Sequence, residues 1–464
     1  MLFRSCGSDV TLSTGASAGY TLAVSGNSTA DRIIFGAYYM DGGSPVHEDD
    51  SPVFGQNCGN AAQKPKLTKD NFTAAIFNQG VGVNYIELNS LQLIDGEAAT
   101  YIDGNYNVVR YCYIDGASWG VKAGGSASSQ YAYVGYNYIF ADYSFTTHDK
   151  DAIAYYGYAD YGTIEYNVVG GTGHAAIAVY GTGTTDVTVQ YNRIFDTDDN
   201  ASECILLSSS SASVHHNWCE DAGIVQITGH DNYFYSNVIN GINDRKTNTG
   251  AINIQPIGYN NYNNQITNNT IFFDGNEGAT IRGIYLQEPS DSAQTLKNNV
   301  IANNIVLNAN TIPFLVYDPY DQIESNEADA DANVWYNNLA YNWDNANLVS
   351  IEGTYVYTNA IDWNTEYDKA SGNIATDPSL SNPAGGEFWP DDSGDPVVGT
   401  GYTLASPYDQ LIVPGTSDFT LSPPVVNLET QSPNNIGAYK SSDAGPVAPT
   451  YPLQGVAGSG YTYQ

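Results

Sequence analysis

Basic side chains are what this 464-residue chain has least of: fifteen Lys and Arg stand against fifty Asp and Glu, for a formal charge of −35. So acidic a surface repels phosphate backbones and anionic headgroups, which excludes nucleic acid and anionic membrane as partners. A polyanionic substrate is disfavoured as well, unless a cation or a local basic patch intervenes. Cysteine is scarce. The five at Cys6, Cys58, Cys112, Cys204 and Cys219 are odd in number, show no zinc-ligand spacing and suggest no disulfide framework. Cys112, Cys204 and Cys219 fall at strand positions and read as small buried apolar residues. No apolar run is long enough to cross a bilayer, so membrane insertion is not expected. Met1 is not followed by a basic region and a sustained apolar stretch, so no signal peptide is expected in the chain as given. Helical periodicity is nearly absent too.

What the chain has instead is a short pattern that returns ten times: apolar, two residues, usually Asn, one residue, apolar. Its centres fall at Asn89, Cys112, Asn137, Asn167, Asn192, Asn217, Asn237, Asn269, Asn304 and Asn337, with steps of about 20 to 35 residues, the period of a solenoid. Each copy alternates β-branched and aromatic residues, with Gly, Asn, Asp and Ser between copies, so the unit is a strand. Strands at this step without helices between them cannot make βαβ units; a coil whose turns stack on one another is the expected solution. Stacked turns lie roughly 4.8 Å apart, so an Asn at the same corner of every turn can hydrogen-bond to the next. Cys112 interrupts that ladder.

A second column of strands follows each Asn strand after a variable loop, at Ala152–Gly157, Ala176–Gly181, Cys204–Leu207, Ile224–Gly229, Ala251–Ile254 and Gly283–Leu286. With these columns the chain, over roughly residues 20 to 440, resembles the right-handed parallel β-helix proteins of the pectate-lyase-like superfamily, which includes polysaccharide lyases, glycoside hydrolases and phage tailspikes. The resemblance implies an all-β parallel β-helix solenoid with an N-terminal cap and a small C-terminal β or irregular segment. It specifies fold far more than activity. Ile436-Gly-Ala-Tyr439 is similar to the segment that closes many such proteins, with Asn435 where Asp is common. Around Glu203 to His230 the spacing is similar to the alginate and chondroitin lyase group, whose catalytic Lys and Arg would fall on Ser208 and Thr228; the absence of both basic groups argues against that chemistry.

The expected organisation is a cap and lead-in strands over residues 1–80, the coil over 81–345, C-terminal coils and a closing segment over 346–440, and a Pro/Gly/Tyr-rich tail over 441–464. The thirty-eight Tyr suit either cross-rung stacking, as Tyr111, Tyr136, Tyr166 and Tyr191 before the ladder positions suggest, or stacking on sugar rings.

Loops between the two strand columns leave the coil at one corner, and functional side chains are sought there. Counting back from the second column, Asp151 and Glu203 share an offset two rungs apart, roughly 9.6 Å, and Lys150 shares one with His174. That separation is near the upper range for the two carboxylates of an inverting glycosidase. Asp151 and Glu203 are therefore candidates for acid and base, His174 and Lys150 for assisting groups, and Tyr155 and Tyr180 for sugar platforms. Arg245 and Lys246 could hold an anionic sugar, although a solvated basic loop is the commoner meaning of such a pair. Asp196, Asp198 and Asp199 cluster oxygen ligands suited to Ca²⁺, against the ordinary reading of a solvated acidic loop; no cofactor is required. The functional expectation is a phage virion appendage, tailspike- or fibre-like and homo-oligomeric (a trimer if a spike), that binds and in one version cleaves surface polysaccharide. A secreted bacterial lyase or glycoside hydrolase and a non-catalytic structural or adhesive β-helix stand as alternatives, placing the protein on a virion or outside the cell.

Overall fold

The computed structural model describes residues 3–5, 9–11, 20–41, 44–47, 66–69, 75–125, 128–141, 151–195, 203–242, 249–258, 260–275, 277, 280–287, 294–317, 332–344, 346–351, 355–390, 392–414, 416–419, 421, 424–430 and 435–441. Three long sheets, the first of 14 strands, the second of 12 and the third of 13, run along it, and within each the order of strands advances one turn at a time. Neighbours along the coil pair in parallel, as Val108–Arg110 does with Tyr133–Gly135, Tyr113–Asp115 with Tyr138–Phe140, and Ile153–Tyr156 with Ala175–Thr185. Each turn contributes one strand to the first sheet, one to the second and one to the third. This is the right-handed parallel β-helix expected from the sequence.

Inward positions explain why the coil holds. Leu88, Val109, Val134, Ile164, Val189, Val214, Phe234, Ile266, Ile301 and Trp335 follow one another in register along the first sheet and are all buried. Burial of each such side chain contributes about 1.5–3 kcal/mol. The corner between the first and second sheets is closed by the Asn ladder. Asn137 donates its side-chain N–H to Asn167 at 2.9 Å, and Asn167 to Asn192 at 3.0 Å. The chain of bonds continues through Asn217, Asn237, Asn269, Asn304, Asn338 and Asn373. The residue before each of these asparagines sits at positive φ, 54° at Tyr166 and 59° at Tyr191.

Two copies of the repeat are in a different register from that read in the sequence. Leu88, not Ile86, lies opposite Val109, so Leu91 holds the ladder position and Asn89 instead hydrogen-bonds Glu87. At the far end Trp335 lies opposite Ile301, which makes Asn338 the rung and Asn337 the positive-φ residue before it. Adjacent asparagines and an out-of-phase Asn mimic the motif; only strand pairing resolves them. A further rung, Asn373, follows at residues 370–373. A second ladder, Asn232–Asn264–Asn299–Asn333, closes the corner between the third and first sheets in the C-terminal half.

The coil begins before residue 81, since Tyr20–Leu22, Ile33–Asp41 and Lys66–Lys69 already pair in parallel with the first full turns. At its other end a short helix, Ala360–Glu366, starts at Asn359, whose side chain accepts from Asp362 N. It buries Trp363 against Trp335 and Phe314, plugging the open end of the core. The chain then turns back. The described residues of 374–441 lie along the outside of the second sheet, where Phe388, Trp389, Phe419, Ile436 and Tyr439 pack on Trp218, Val238, Phe272, Ile305 and Leu339. The Ile436–Tyr439 stretch is thus a side strap: Gly437 N donates to Asn303 O and Ala438 N to Thr270 Oγ1.

Candidate functional site

The third sheet carries the densest chemistry on its outer face. In Ile153–Tyr156, Ile153 and Tyr155 point into the core, and alternation sends Ala154 and Tyr156 outward. One turn before, Lys122 stands in line with Ala154 and Gly124 with Tyr156; one turn after, Ala178 and Tyr180 continue the same columns, then Leu206 and Ser208. Trp119, Ala154, Ala175 and Ala178 form a small apolar floor on this face, with Tyr101, Tyr180 and Leu206 against it. The Lys122 ammonium rests 4.6 Å from the Trp119 ring centre, 5.3 Å from Tyr156 and 5.8 Å from Tyr101, in the range where ring faces attract a cation.

At the start of the same strands, where they meet the corner with the second sheet, three predicted residues converge. Asp151 Oδ1 lies 2.6 Å from His174 Nδ1 and accepts a second hydrogen bond from Ala175 N at 3.0 Å. His174 Nε2 faces Glu203 Oε2 at 3.8 Å. Ala175 pairs with Glu203, and the register of Ile153 with Ile177 sets Asp151 one rung before, so the offsets counted along the sequence are those of the coil. An imidazole therefore sits between two carboxylates from flanking turns.

Burial separates their roles. Asp151 is fully buried, Glu203 is nearly so, and the His174 side chain keeps a third of its surface exposed. Desolvation pushes the Asp151 carboxyl above its ordinary range, opposed by the His174 hydrogen bond and charge, the Ala175 N–H and the charge of Lys122. Its second oxygen, Oδ2, is buried without a hydrogen-bond partner among the described residues. Asp151 can orient His174; with no access to solvent it cannot itself serve as acid or base at a sugar, which corrects the expected pairing of Asp151 with Glu203. Tyr155 is corrected as well. It is wholly buried and donates its hydroxyl to Ala132 O and Thr163 O, so it offers no ring to a ligand; Tyr156, next along the strand, does.

Tyr180 does stand on the outer face. Lys150, Arg245 and Lys246 lie outside the described residues, as do Asp196, Asp198 and Asp199, and no group of three His, Cys, Asp or Glu side chains among the described residues could hold a metal. Ser208 and Thr228 are adjacent on successive turns, with Thr228 Oγ1 donating to Ser208 Oγ at 2.6 Å. Sequence reasoning missed Trp119, Lys122, Tyr101 and Tyr156, although extending the in–out alternation of Ile153 one turn back would have found Lys122. It also missed that Cys204 and Cys219 are joined across the core in a disulfide, with Cα atoms 6.3 Å apart. Both were read as inward-facing; the pairing arises because the third-sheet and second-sheet strands that carry them face one another.

No protein-family profile matches the chain, and no curated protein matches it in sequence. Solved structures share its architecture at low identity. The catalytic unit of the thermostable GH87 alpha-1,3-glucanase from Streptomyces thermodiastaticus strain HF3-3 aligns at 15% identity and a TM-score of 0.46, over 68% of this chain and 60% of the other. The chain therefore spans less than two thirds of that enzyme unit. Pectate lyase Pel9A aligns at 10% and 0.45, over 95% of this chain and 88% of its own, and the A-module of mannuronan C-5 epimerase AlgE6 from Azotobacter vinelandii at 12% and 0.47, over 81% and 90%. At such distances the likeness is one of fold.

Proposed function

We propose that this protein acts on polysaccharide laid across the outer face of its third sheet, with His174 as the group that exchanges protons with the sugar. One observation carries the reading: His174 is clasped between two carboxylates from flanking turns, and of the three it alone presents substantial surface beside a ring-lined face.

Asp151 takes a hydrogen bond at Nδ1 and so leaves the lone pair on Nε2. The 3.8 Å between Nε2 and Glu203 Oε2 is too long for a direct hydrogen bond, and Oε2 is itself buried, so a sugar hydroxyl or a water reaches Nε2 from the exposed side of the imidazole ring. Nε2 takes a proton from that hydroxyl or water and returns it to the leaving oxygen of the glycosidic linkage, which is general acid–base work, while the Glu203 carboxylate beside it steadies the imidazolium. Asp151 is a positioning residue in this scheme. The Cys204–Cys219 disulfide, next in sequence to Glu203, favours maturation in an oxidising compartment and hence a secreted protein over one assembled in a reducing cytoplasm.

The test is a panel of polysaccharides assayed for new reducing ends and for unsaturated products, which distinguishes hydrolysis from elimination. His174→Gln is expected to lower turnover by about 10²–10⁴-fold with unchanged melting temperature. Cleavage that survives this substitution intact would remove His174 from the chemistry.

A further inference from the structure

Roughly 20 Å along the strand from His174, six residues on at about 3.3 Å each, the third-sheet face ends in a depression of about 320 Å³ that the proton-transfer scheme does not use. Its floor is backbone. Gly125, Gly157 and Gly181 stack on successive turns at φ of 127°, 74° and 112°. A Cβ on Gly181 would meet Gly157 N at 2.7 Å, and one on Gly157 would meet Gly125 O at 2.9 Å, so only glycine lets the turns close here. Its walls are Tyr156, Tyr158 and Tyr180. Tyr156 and Tyr158 are exposed, at 37% and 55%, and Tyr156 packs on Tyr180 with ring centres 4.5 Å apart. Tyr158 is held by contact, since a Cβ on Gly183 would lie 2.4 Å from its ring. Ser208 completes the rim and accepts from Thr228, leaving its own hydroxyl proton for a ligand.

We infer that this depression is a subsite for a neutral pyranose ring. Flat rings with polar tips, a floor of backbone and one hydroxyl match the alternating apolar faces and hydroxyl edges of an uncharged sugar. The volume is at the small end of ligand pockets, which run about 300–1,000 Å³, and no charged side chain lines it among the described residues. A chain with fifteen basic against fifty acidic residues repels a polyanion at every part of its surface without local cations. The Lys122 ammonium, 5.3 Å from the Tyr156 ring, makes an anionic oligosaccharide the right competing probe. The inference rests on the reading of this face as glycan-binding and adds the charge class of what binds.

The test is calorimetric titration of neutral oligosaccharides of β-1,4-linked glucose, mannose and xylose, and of oligogalacturonate, into protein carrying His174→Gln so that turnover is slowed. Tyr158→Ala removes an exposed ring, and Tyr158→Phe keeps the ring without the hydroxyl. A neutral oligosaccharide that binds, weakens at least tenfold with Tyr158→Ala and less than threefold with Tyr158→Phe supports the subsite. Equal binding to Tyr158→Ala, binding of oligogalacturonate alone, or no binding by any probe overturns it. His174-dependent cleavage persisting alongside any of those failures leaves the proton-transfer reading standing, and loss of that reading with intact Tyr158-dependent binding leaves the subsite standing.

Discussion

The two halves of the coil share a ladder and differ at the residue beside it. In the N-terminal half the positive-φ corner is Tyr111, Tyr136, Tyr166 and Tyr191, whose rings stack at 5.2, 4.9 and 4.8 Å. In the C-terminal half the same corner is His216, Ser236, Asn268, Asn303 and Asn337, and each side chain bonds the backbone of the returning strap, at Gln410, Gln410, Tyr408, Tyr402 and Thr400. The second-sheet column beside it changes in step, from Tyr113, Tyr138, Val168 and Arg193 to Trp218, Val238, Thr270, Ile305 and Leu339. One backbone geometry thus serves two ends: an uncovered turn satisfies itself with ring on ring, and a covered turn uses small polar groups to fasten what covers it. The candidate site lies on the third sheet, which the strap does not cover, on turns whose corners are mostly the stacked kind.

The ladder is the part the halves share, so breaking it should cost the same in either. Asn192→Ala and Asn269→Ala each strand buried carbonyl and amide partners on two neighbouring turns, and each is expected to lose about 3–5 kcal/mol in denaturant unfolding, as a network of bonds of about 1–3 kcal/mol each would. A much smaller loss at either site would show that turns in that half are held by packing alone. Phe388→Ala should separate the halves. It removes a ring buried on Trp218 and Phe272 at a cost of about 3–5 kcal/mol, and hydrogen exchange should rise in the second sheet from residue 218 onward while the tyrosine-stacked turns stay protected.

Acid should act on the same border. His216 is buried with its pKa lowered to about 4, chiefly by desolvation, against the Gln410 carbonyl; His215 is lowered well below 6.5 by burial and by His216. Their faces are Tyr191 and Tyr235. Both histidines are held neutral in the fold, so between pH 6.5 and about 4 the unfolded chain binds more protons. Stability is therefore full above 6.5 and is lost as pH falls, by about 3 kcal/mol for His216 by pH 4. Thermal melts across that range should slope less steeply in His216→Asn. The smallest effect belongs to the tyrosine column: Tyr166→Asn, which keeps a residue tolerant of positive φ, should cost about 0.5–1.5 kcal/mol from lost ring contacts, with no change in strap protection.

The coil was legible because its signal repeats: an Asn with apolar residues at fixed offsets recurs too often to be turns alone, and Asn137, Asn167 and Asn192 bond in series as the spacing requires. Offsets along the chain also brought Asp151, His174 and Glu203 to one corner. What they could not supply was depth. Tyr155 and Tyr156 differ by one position and face opposite sides of the sheet, and Asp151 is buried by neighbours that no local count reveals.

The sequence alone determined a solenoid of stacked strands, because a period of hydrophobic and Asn positions acts within each turn and needs only the next turn to complete it. Tertiary structure decided which carboxylate is sealed, which cysteines meet and where the strap of described residues after 374 lies. Those depend on contacts between segments far apart in the chain, such as Gln410 with His216 and Gly437 with Asn303, whose partners carry no shared period to announce them.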